Sequence, residues 1–320
     1  MFKTSKIEKA QFYLDKAFRI SQNAAKAKKY NLNNKREKKK KNEIYKIGIF
    51  SRNLRNDLEN IKEMFPDPNE LENFYKELFE ITINVEKLGK AFITFSWFNN
   101  KLIRLEQESL RNIHNAEHID EIEKSKKIFY GRASSIMKKI QKHFTYLDEA
   151  RRTLRNFPTI KTNMFTICIC GFPNVGKSTL LSKLTTARPD IQAYAFTTKS
   201  LMVGYMDKIQ LVDTPGTFKD ILFKMNWIEK QSYLAIKYLG DYLIYVLDIS
   251  ESCGFNVKDQ MELYKNLKKQ FPKKKFLIYF SKNDIIDKNI IETFVKDNKF
   301  SKVFLESKDL KKYLKKIKKD

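Results

Sequence analysis

Apolar positions in the first half of the chain recur every three or four residues, whereas those in the second half fall in short continuous runs. Ile44, Ile47, Ser51, Leu54, Leu58, Ile61 and Phe65 form one helical stripe, and Leu71, Phe74, Leu78, Ile81, Val85 and Leu88 form another. Phe95, Phe98, Leu102 and Leu105 form a third. A longer one runs through Phe129, Ala133, Ile136, Ile140, His143, Leu147, Ala150 and Leu154. The spacing also predicts a first helix over 6–29, with Ile7, Ala10, Leu14 and Ala17 inward. Pro66-Asp67-Pro68-Asn69 removes backbone donors and offers capping side chains, so it separates two helices. Stripes of this kind are the core seams of an antiparallel all-α bundle rather than of one continuous coiled coil.

Near Phe157-Pro158 the period changes. The runs 165–169, 209–212, 242–247 and 276–280 read as buried strands, and helical stretches around 178–186, 226–239, 257–270 and 286–295 alternate with them. Alternation of strand and helix predicts a mostly parallel, doubly wound α/β sheet. The expected division is therefore a helical bundle over 1–160 and an α/β domain over 161–320.

The first predicted strand leads into Gly171-Phe172-Pro173-Asn174-Val175-Gly176-Lys177-Ser178, which satisfies G-x-x-x-x-G-K-S and is followed by Thr179 at the start of a helix. In that context the glycines let backbone N–H groups wrap a β-phosphate, and the helix N-terminus adds its positive end. Lys177 reaches the β- and γ-phosphates, and Ser178 offers its hydroxyl to Mg²⁺. The next strand ends in Asp213-Thr214-Pro215-Gly216. Asp213 is placed to hold Mg²⁺, and the Gly216 N–H to meet a γ-phosphate. Gly216 can change its dihedrals cheaply, which marks the following segment as a switch. Between the two motifs lie Thr197 and Thr198, of which Thr198 is the better candidate to join the Mg²⁺ shell when the γ-phosphate is present. Two phosphate motifs in this order specify an α/β P-loop NTPase of the Ras-like G-domain type.

After the fourth run comes Ser281-Lys282-Asn283-Asp284, where the pattern N-K-x-D reads guanine. Asp284 would accept from both guanine donors, and the Lys282 stem would cover the base. Ser281 stands where asparagine is expected; the shorter hydroxyl forfeits about 1–2 kcal/mol, roughly tenfold in binding. The closing base loop is expected near Glu306-Ser307-Lys308.

Charge adds a partner to this picture. There are 63 Lys and Arg against 38 Asp and Glu, a net +25, which attracts polyanions. The segment 35–41 is almost entirely basic. It reads either as a solvated helix end or as a strip of phosphate contacts. Cys168 and Cys170 alternate with isoleucines in a predicted strand, a poor disulfide geometry, and with Cys253 they fit a reducing compartment. The first six residues have no apolar signal-peptide core, and no apolar run approaches the ~20 residues that span a bilayer. The expectation is a cytoplasmic monomer without a membrane or DNA partner.

The order of motifs resembles the Obg-related GTPases, and most of all the nucleolar GTP-binding protein family, whose members assist large ribosomal subunit assembly. Asn226-Trp227-Ile228-Glu229-Lys230-Gln231 and Asp248-Ile249-Ser250-Glu251-Ser252-Cys253-Gly254 are similar to that family's N-x-I-E-x-Q and D-x-S-E-x-C-G segments. The resemblance covers nearly the whole chain, in the manner of the short archaeal members. It implies a GTP/GDP switch with Mg²⁺, docked on the large ribosomal subunit and its rRNA through the basic helical half. It also implies slow intrinsic hydrolysis, because Thr217 follows D-T-P-G where other GTPases carry a catalytic glutamine. Asn174 occupies the position at which related GTPases hold K⁺ beside the phosphates; bracing of the P-loop is the alternative role. Two rival functions remain open, a GTPase acting on tRNA or another RNA, and a degenerate G domain serving as an RNA scaffold. His114-Asn115-Ala116-Glu117-His118 fits the zinc pattern H-x-x-E-H, but it lies near an inferred turn without a third ligand cluster.

Overall fold

The computed structural model describes residues 4–28, 30–31, 33–185, 190–193, 200–214 and 227–317. Contacts divide the chain into two compact units, one of Phe2–Pro68 with Glu80–Arg155 and the other chiefly of Asn69–Phe79 with Asn156–Asp320. The segment Asn69–Phe79 lies inside the span 1–160 of the sequence, yet it groups with the sheet.

The helical unit holds α1 (Ala10–Ala27), α2 (Lys35–Glu63), α4 (Val85–Asn115), α5 (Ile119–Lys139) and α6 (Gln141–Arg155), with α3 (Asn73–Thr82) between α2 and α4 in the chain. Asn34 caps α2 by accepting from the Arg36 and Glu37 amides, and Asn84 caps α4 by accepting from Lys87 N at 2.9 Å. The Asn84 cap splits the stripe read as continuous from Leu71 to Leu88. Ile81 and Val85, at the end of α3 and the start of α4, are therefore exposed rather than inward. The stripe from Phe129 to Leu154 is likewise broken, at Ile140 (φ −93°, ψ 4°). Burial keeps its three-and-four spacing through the break: Met137, Ile140, Phe144 and Leu147 are buried, and the predicted Ile136 and His143 are half-buried beside them. Phe50, adjacent to the predicted stripe of α2, is fully buried with Phe18 at 4.8 Å, Tyr130 at 5.1 Å and Phe129 at 5.9 Å between ring centroids.

Among the described residues, the second unit is built on seven strands in the order β2-β3-β4-β1-β5-β6-β7. They are β1 (Thr166–Cys170), β2 (Asp190–Ala193), β3 (Ser200–Met206), β4 (Ile209–Asp213), β5 (Gly240–Leu247), β6 (Lys275–Phe280) and β7 (Val303–Phe304). β4-β1-β5-β6-β7 pair in parallel, while β2-β3 and β3-β4 are antiparallel. Four strands match the predicted runs to within two residues. β2, β3 and β7 escape the hydrophobic pattern: β7 is two residues long, and Gly204 interrupts the apolar run of β3. Gly204 is required there because a Cβ would collide with the Thr185 side chain at the end of α7 (Lys177–Leu184). The sheet also carries α8 (Trp227–Leu234), a π-helical turn (Ala235–Leu239), α9 (Val257–Gln270), α10 (Lys288–Asn298) and α11 (Ser307–Ile317).

Tyr75 of α3 fastens the entry to this unit. Its hydroxyl donates toward Pro158 O at 2.9 Å and Ile160 O at 3.0 Å, and accepts from Ile160 N at 2.9 Å. Burial, offset in part by these contacts, pushes its phenol up to about 12. Glu77, two residues on, accepts from Lys237 Nζ at 2.7 Å and from the Tyr238 hydroxyl in the π-helical turn.

Candidate functional site

The chemistry gathers at the C-terminal ends of the parallel strands, where an open α/β sheet leaves its crevice. β1 runs into the loop 171–176, β4 into Thr214, β5 into the loop 248–254, and β6 into Ser281-Lys282-Asn283-Asp284.

The first loop has the backbone that a phosphate cradle needs. Gly171 sits at φ 142° with its α-carbon against β5, and a Cβ there would lie 2.5 Å from Val246 O. Asn174 (φ 62°) and Gly176 (φ 96°) are also left-handed, so successive amides turn inward ahead of α7. Val175 is buried and pins the loop, while Asn174 and Thr179 are exposed. Lys177 folds back over the loop and donates to Phe172 O at 2.7 Å.

At the mouth of this loop Ser178 Oγ donates to Asp213 Oδ2 at 2.6 Å. The other Asp213 oxygen, Oδ1, is buried without a hydrogen-bond partner. Burial, against the opposing pull of Lys177 and Ser178, pushes this carboxyl above its ordinary value. An alcohol beside a carboxylate with one unpaired oxygen suits a hard, oxygen-seeking dication, which would offset the cost of burying the charge. Thr214 serves structure: its amide and hydroxyl both donate to Ile169 O, at 3.0 and 2.9 Å. Thr198, Gly216 and Thr217, with Thr197 and Asn226, lie outside the described residues.

The second side of the candidate site is assembled from three loops. Ser281 is buried, and both its amide and its hydroxyl donate to Leu247 O, at 3.0 and 3.3 Å. It adjoins the P-loop, since a Cβ built on Gly176 would lie 3.6 Å from Ser281 Cβ, but its one hydroxyl donor is directed to the neighbouring strand. Lys282 (φ 51°) donates to Asp248 Oδ2 at 2.8 Å and to Ser252 Oγ at 2.9 Å. Asn283 Nδ2 donates to Leu305 O at 3.0 Å. Asp284 is exposed in a 3₁₀ turn, Asn283–Ile285. α11 starts at Ser307 and packs through Leu310 and Leu314, so the Glu306-Ser307-Lys308 segment falls at the junction of β7 and α11.

Asp248 had no role in the sequence beyond its place in a motif. In the structure it is fully buried, and its carboxylate accepts from Ser250 N, Ser250 Oγ, Ser252 Oγ, Cys253 N and Lys282 Nζ. Burial works to raise its carboxyl, but Lys282 and Ser250 hold it below the ordinary value. Gln260 Oε1 accepts from Asp248 N, and Gln260 Nε2 donates to Asp248 O, both at 2.9 Å.

The basic strip of α2 is only partly free. Arg36 donates to Glu117 O, Lys40 to His114 O, and Lys39 pairs with Glu123 at 2.5 Å. Lys35, Lys38 and Lys41 are exposed and share one helical face. These contacts also account for the H-x-x-E-H segment. His114 belongs to the last turn of α4, and His118 precedes α5 with its amide bonded to Glu121, so the two histidines are not on one helix. Among the described residues no cluster of three His, Cys, Asp or Glu could hold a metal, and the three cysteines are free and buried.

The model of the nucleolar GTP-binding protein 1 family matches residues 227–284, and the model of that family's N-terminal helical domain matches residues 5–161. The chain is similar to an uncharacterized protein of Methanocaldococcus jannaschii, 34% identical over 250 residues that make up 78% of this chain and 71% of that one. It is 33% identical to nucleolar GTP-binding protein 1 of Drosophila melanogaster over 245 residues, 75% of this chain and 38% of that protein. With the protein of the same name in Saccharomyces cerevisiae it shares 33% over 232 residues, 71% of this chain and 36% of that one. The matched region thus spans little more than a third of the length of the two eukaryotic relatives.

Proposed function

Because the chain belongs to the nucleolar GTP-binding protein 1 family, we propose that it is a GTP-binding switch with slow GTPase activity, acting on the large ribosomal subunit during its assembly. The observation that carries the nucleotide half of this reading is the meeting of Ser178 Oγ and Asp213 Oδ2 at 2.6 Å, with Asp213 Oδ1 unpaired beside a left-handed, glycine-lined P-loop.

The loop 171–176 would wrap the β-phosphate with backbone amides, and the N-terminus of α7, with Thr179 in its first turn, would add its positive end. Lys177 would exchange Phe172 O for the β- and γ-phosphate oxygens. Ser178 and Asp213 would hold Mg²⁺, joined by Thr198 in the triphosphate state. Bound there, Mg²⁺ would neutralise charge on the β- and γ-phosphates. The Gly216 N–H would sense the γ-phosphate and order the segment that follows, and loss of that contact on hydrolysis would release it. Asp284, exposed in its turn, would pair with the two guanine donors. Asn174 would hold K⁺ against the phosphates in place of an arginine finger, which predicts faster turnover in K⁺ than in Na⁺.

The RNA half of the reading is supported by the net charge of +25 and by the exposed row Lys35, Lys38 and Lys41. The helical unit would supply much of the rRNA contact and the G domain would time release. No described helix is long and apolar enough to cross a membrane. We place the protein in the cytoplasm.

Equilibrium fluorescence with labelled GTP, GDP and ATP, in Mg²⁺ and K⁺, tests the first half. Guanine-selective binding is expected; equal binding of ATP, or none at all, overturns the reading in favour of an RNA scaffold. Sedimentation with large subunits, with GTP or GDP present, tests the second. Co-sedimentation that follows the nucleotide is expected, and a protein that stays at the top of the gradient while binding other RNA is not a subunit factor.

A further inference from the structure

The sequence puts serine where the guanine site expects asparagine, and the structure shows what each neighbour of that serine does. Ser281 has one donor and directs it at Leu247 O within the sheet. The next two residues each reach a different loop. Lys282 is tied to the β5 loop through Asp248 and Ser252, and Asn283 is tied to the end of β7 through Leu305 O. The β5 loop is densely bonded: Asp248 is fully buried, its carboxylate accepts from four donors besides Lys282, and Gln260 bonds its backbone N–H and C=O.

We propose that Asn283 and Asp248 are the positioning residues of a guanine subsite, doing from the two flanking loops what an asparagine at position 281 would do from the centre. This rests on the reading of the chain as a guanine-nucleotide binder. Asp248 holds the Lys282 ammonium 2.8 Å away, which fixes the lysine stem as a shelf beneath the base. Asn283 holds Leu305 O, two positions before Ser307, and so sets the closing loop against the same base edge that Asp284 reads. Neither residue touches the base in this arrangement; each restricts the groups that do. A site whose contacts are held in place before binding loses less freedom on binding.

The test is nucleotide affinity in the full chain, measured with GDP, GTP and ATP. Asn283 is half-buried, so Asn283→Ala should lower the melting midpoint by no more than a few degrees while weakening GDP and GTP about tenfold, in proportion to one lost hydrogen bond to a positioned loop. ATP affinity, set by the phosphates, should not move, and in turnover KM should rise while kcat stays within twofold. Asp248→Asn should lower guanine affinity in the same way, and a folded protein is not assured at so buried a site. The pair Asn283→Ala with Ser281→Asn therefore carries the decision: the restored asparagine should recover most of the lost guanine affinity in the double variant, and in the wild-type protein it should gain less than about threefold, short of the roughly tenfold that serine at 281 would forfeit if Asn283 and Asp248 did not compensate. Variants that bind GDP as wild type does, or a loss shared equally by ATP, would overturn the proposal while leaving guanine binding by the wild type intact. Absence of guanine selectivity in the wild type overturns both this proposal and the function on which it rests.

Discussion

Ser178 Oγ meets Asp213 Oδ2 in a 2.6 Å hydrogen bond across 35 positions of sequence. The bond uses one carboxylate oxygen and leaves the other buried and unpaired. Burying that charge carries an electrostatic cost that a bound dication would remove.

That cost makes Asp213→Asn informative. The neutral amide can still accept from Ser178 and no longer buries a charge, so the nucleotide-free protein should gain about 1 kcal/mol. Mg²⁺-dependent binding of GTP should meanwhile fall by two orders of magnitude or more. Thermal unfolding with and without Mg²⁺-GDP checks both halves. Loss of stability in the free variant would show that the carboxylate serves the fold.

Tyr75→Phe keeps the ring and removes one hydroxyl that satisfies Pro158 O, Ile160 O and Ile160 N. With those backbone groups left short of a partner in a buried position, the expected cost is about 1–3 kcal/mol. Urea unfolding of the variant measures it. An effect below a few tenths would mean that water replaces the hydroxyl.

Glu123 accepts from Lys126 and from Lys39, each at 2.5 Å. These hydrogen bonds, Lys126 first, hold its carboxyl at about 2. A depressed folded value means that the contribution is fully present above the unfolded value, near 4.3. It is lost as pH falls from about 5 toward 2. Glu123→Gln should therefore be less stable than wild type at pH 7, and the gap should narrow steadily below pH 5. Both proteins should be compared at low and high salt, because the pair is partly solvated and screening should shrink the difference.

The basic strip divides into two groups with different expected phenotypes. Charge reversal at Lys35, Lys38 and Lys41 together should weaken RNA binding and lower the salt slope by about three, with the fold unchanged. Alanine at Arg36 and Lys40 should instead loosen the α4–α5 turn, whose carbonyls they hold. Filter binding across a salt series, paired with circular dichroism, separates the two. A triple variant with an unaltered salt slope would move the RNA surface elsewhere.

The chain alone determined the parts of this protein that are local. The P-loop was legible because a glycine-lined turn between a buried strand and a helix needs only contiguous residues, and Gly171, Asn174 and Gly176 adopt the left-handed backbone that such a turn requires. The four central strands were legible because apolar residues dominate each of them, as in strands with both faces covered, with Thr166, Gln210, Asp213, Asp241 and Lys275 the polar exceptions. The strands β2, β3 and β7 were not, because β2 and β7 are short strands at the two edges and Gly204 interrupts the apolar run of β3. Tertiary structure alone decided what depends on partners far away in sequence. The break between α5 and α6 at Ile140 carries no proline or glycine to announce it. Tyr75 sits on a helical stripe like any core aromatic, yet its hydroxyl holds Pro158 and Ile160 more than eighty positions on. A lysine reads as a free cation until Glu123 is found beside Lys39, and Asp248 reads as one more acidic residue until Lys282 and four other donors converge on it. Hydrogen bonds and ion pairs have short range, so which charges are spent on the fold and which remain for a ligand is settled only when the chain has closed on itself.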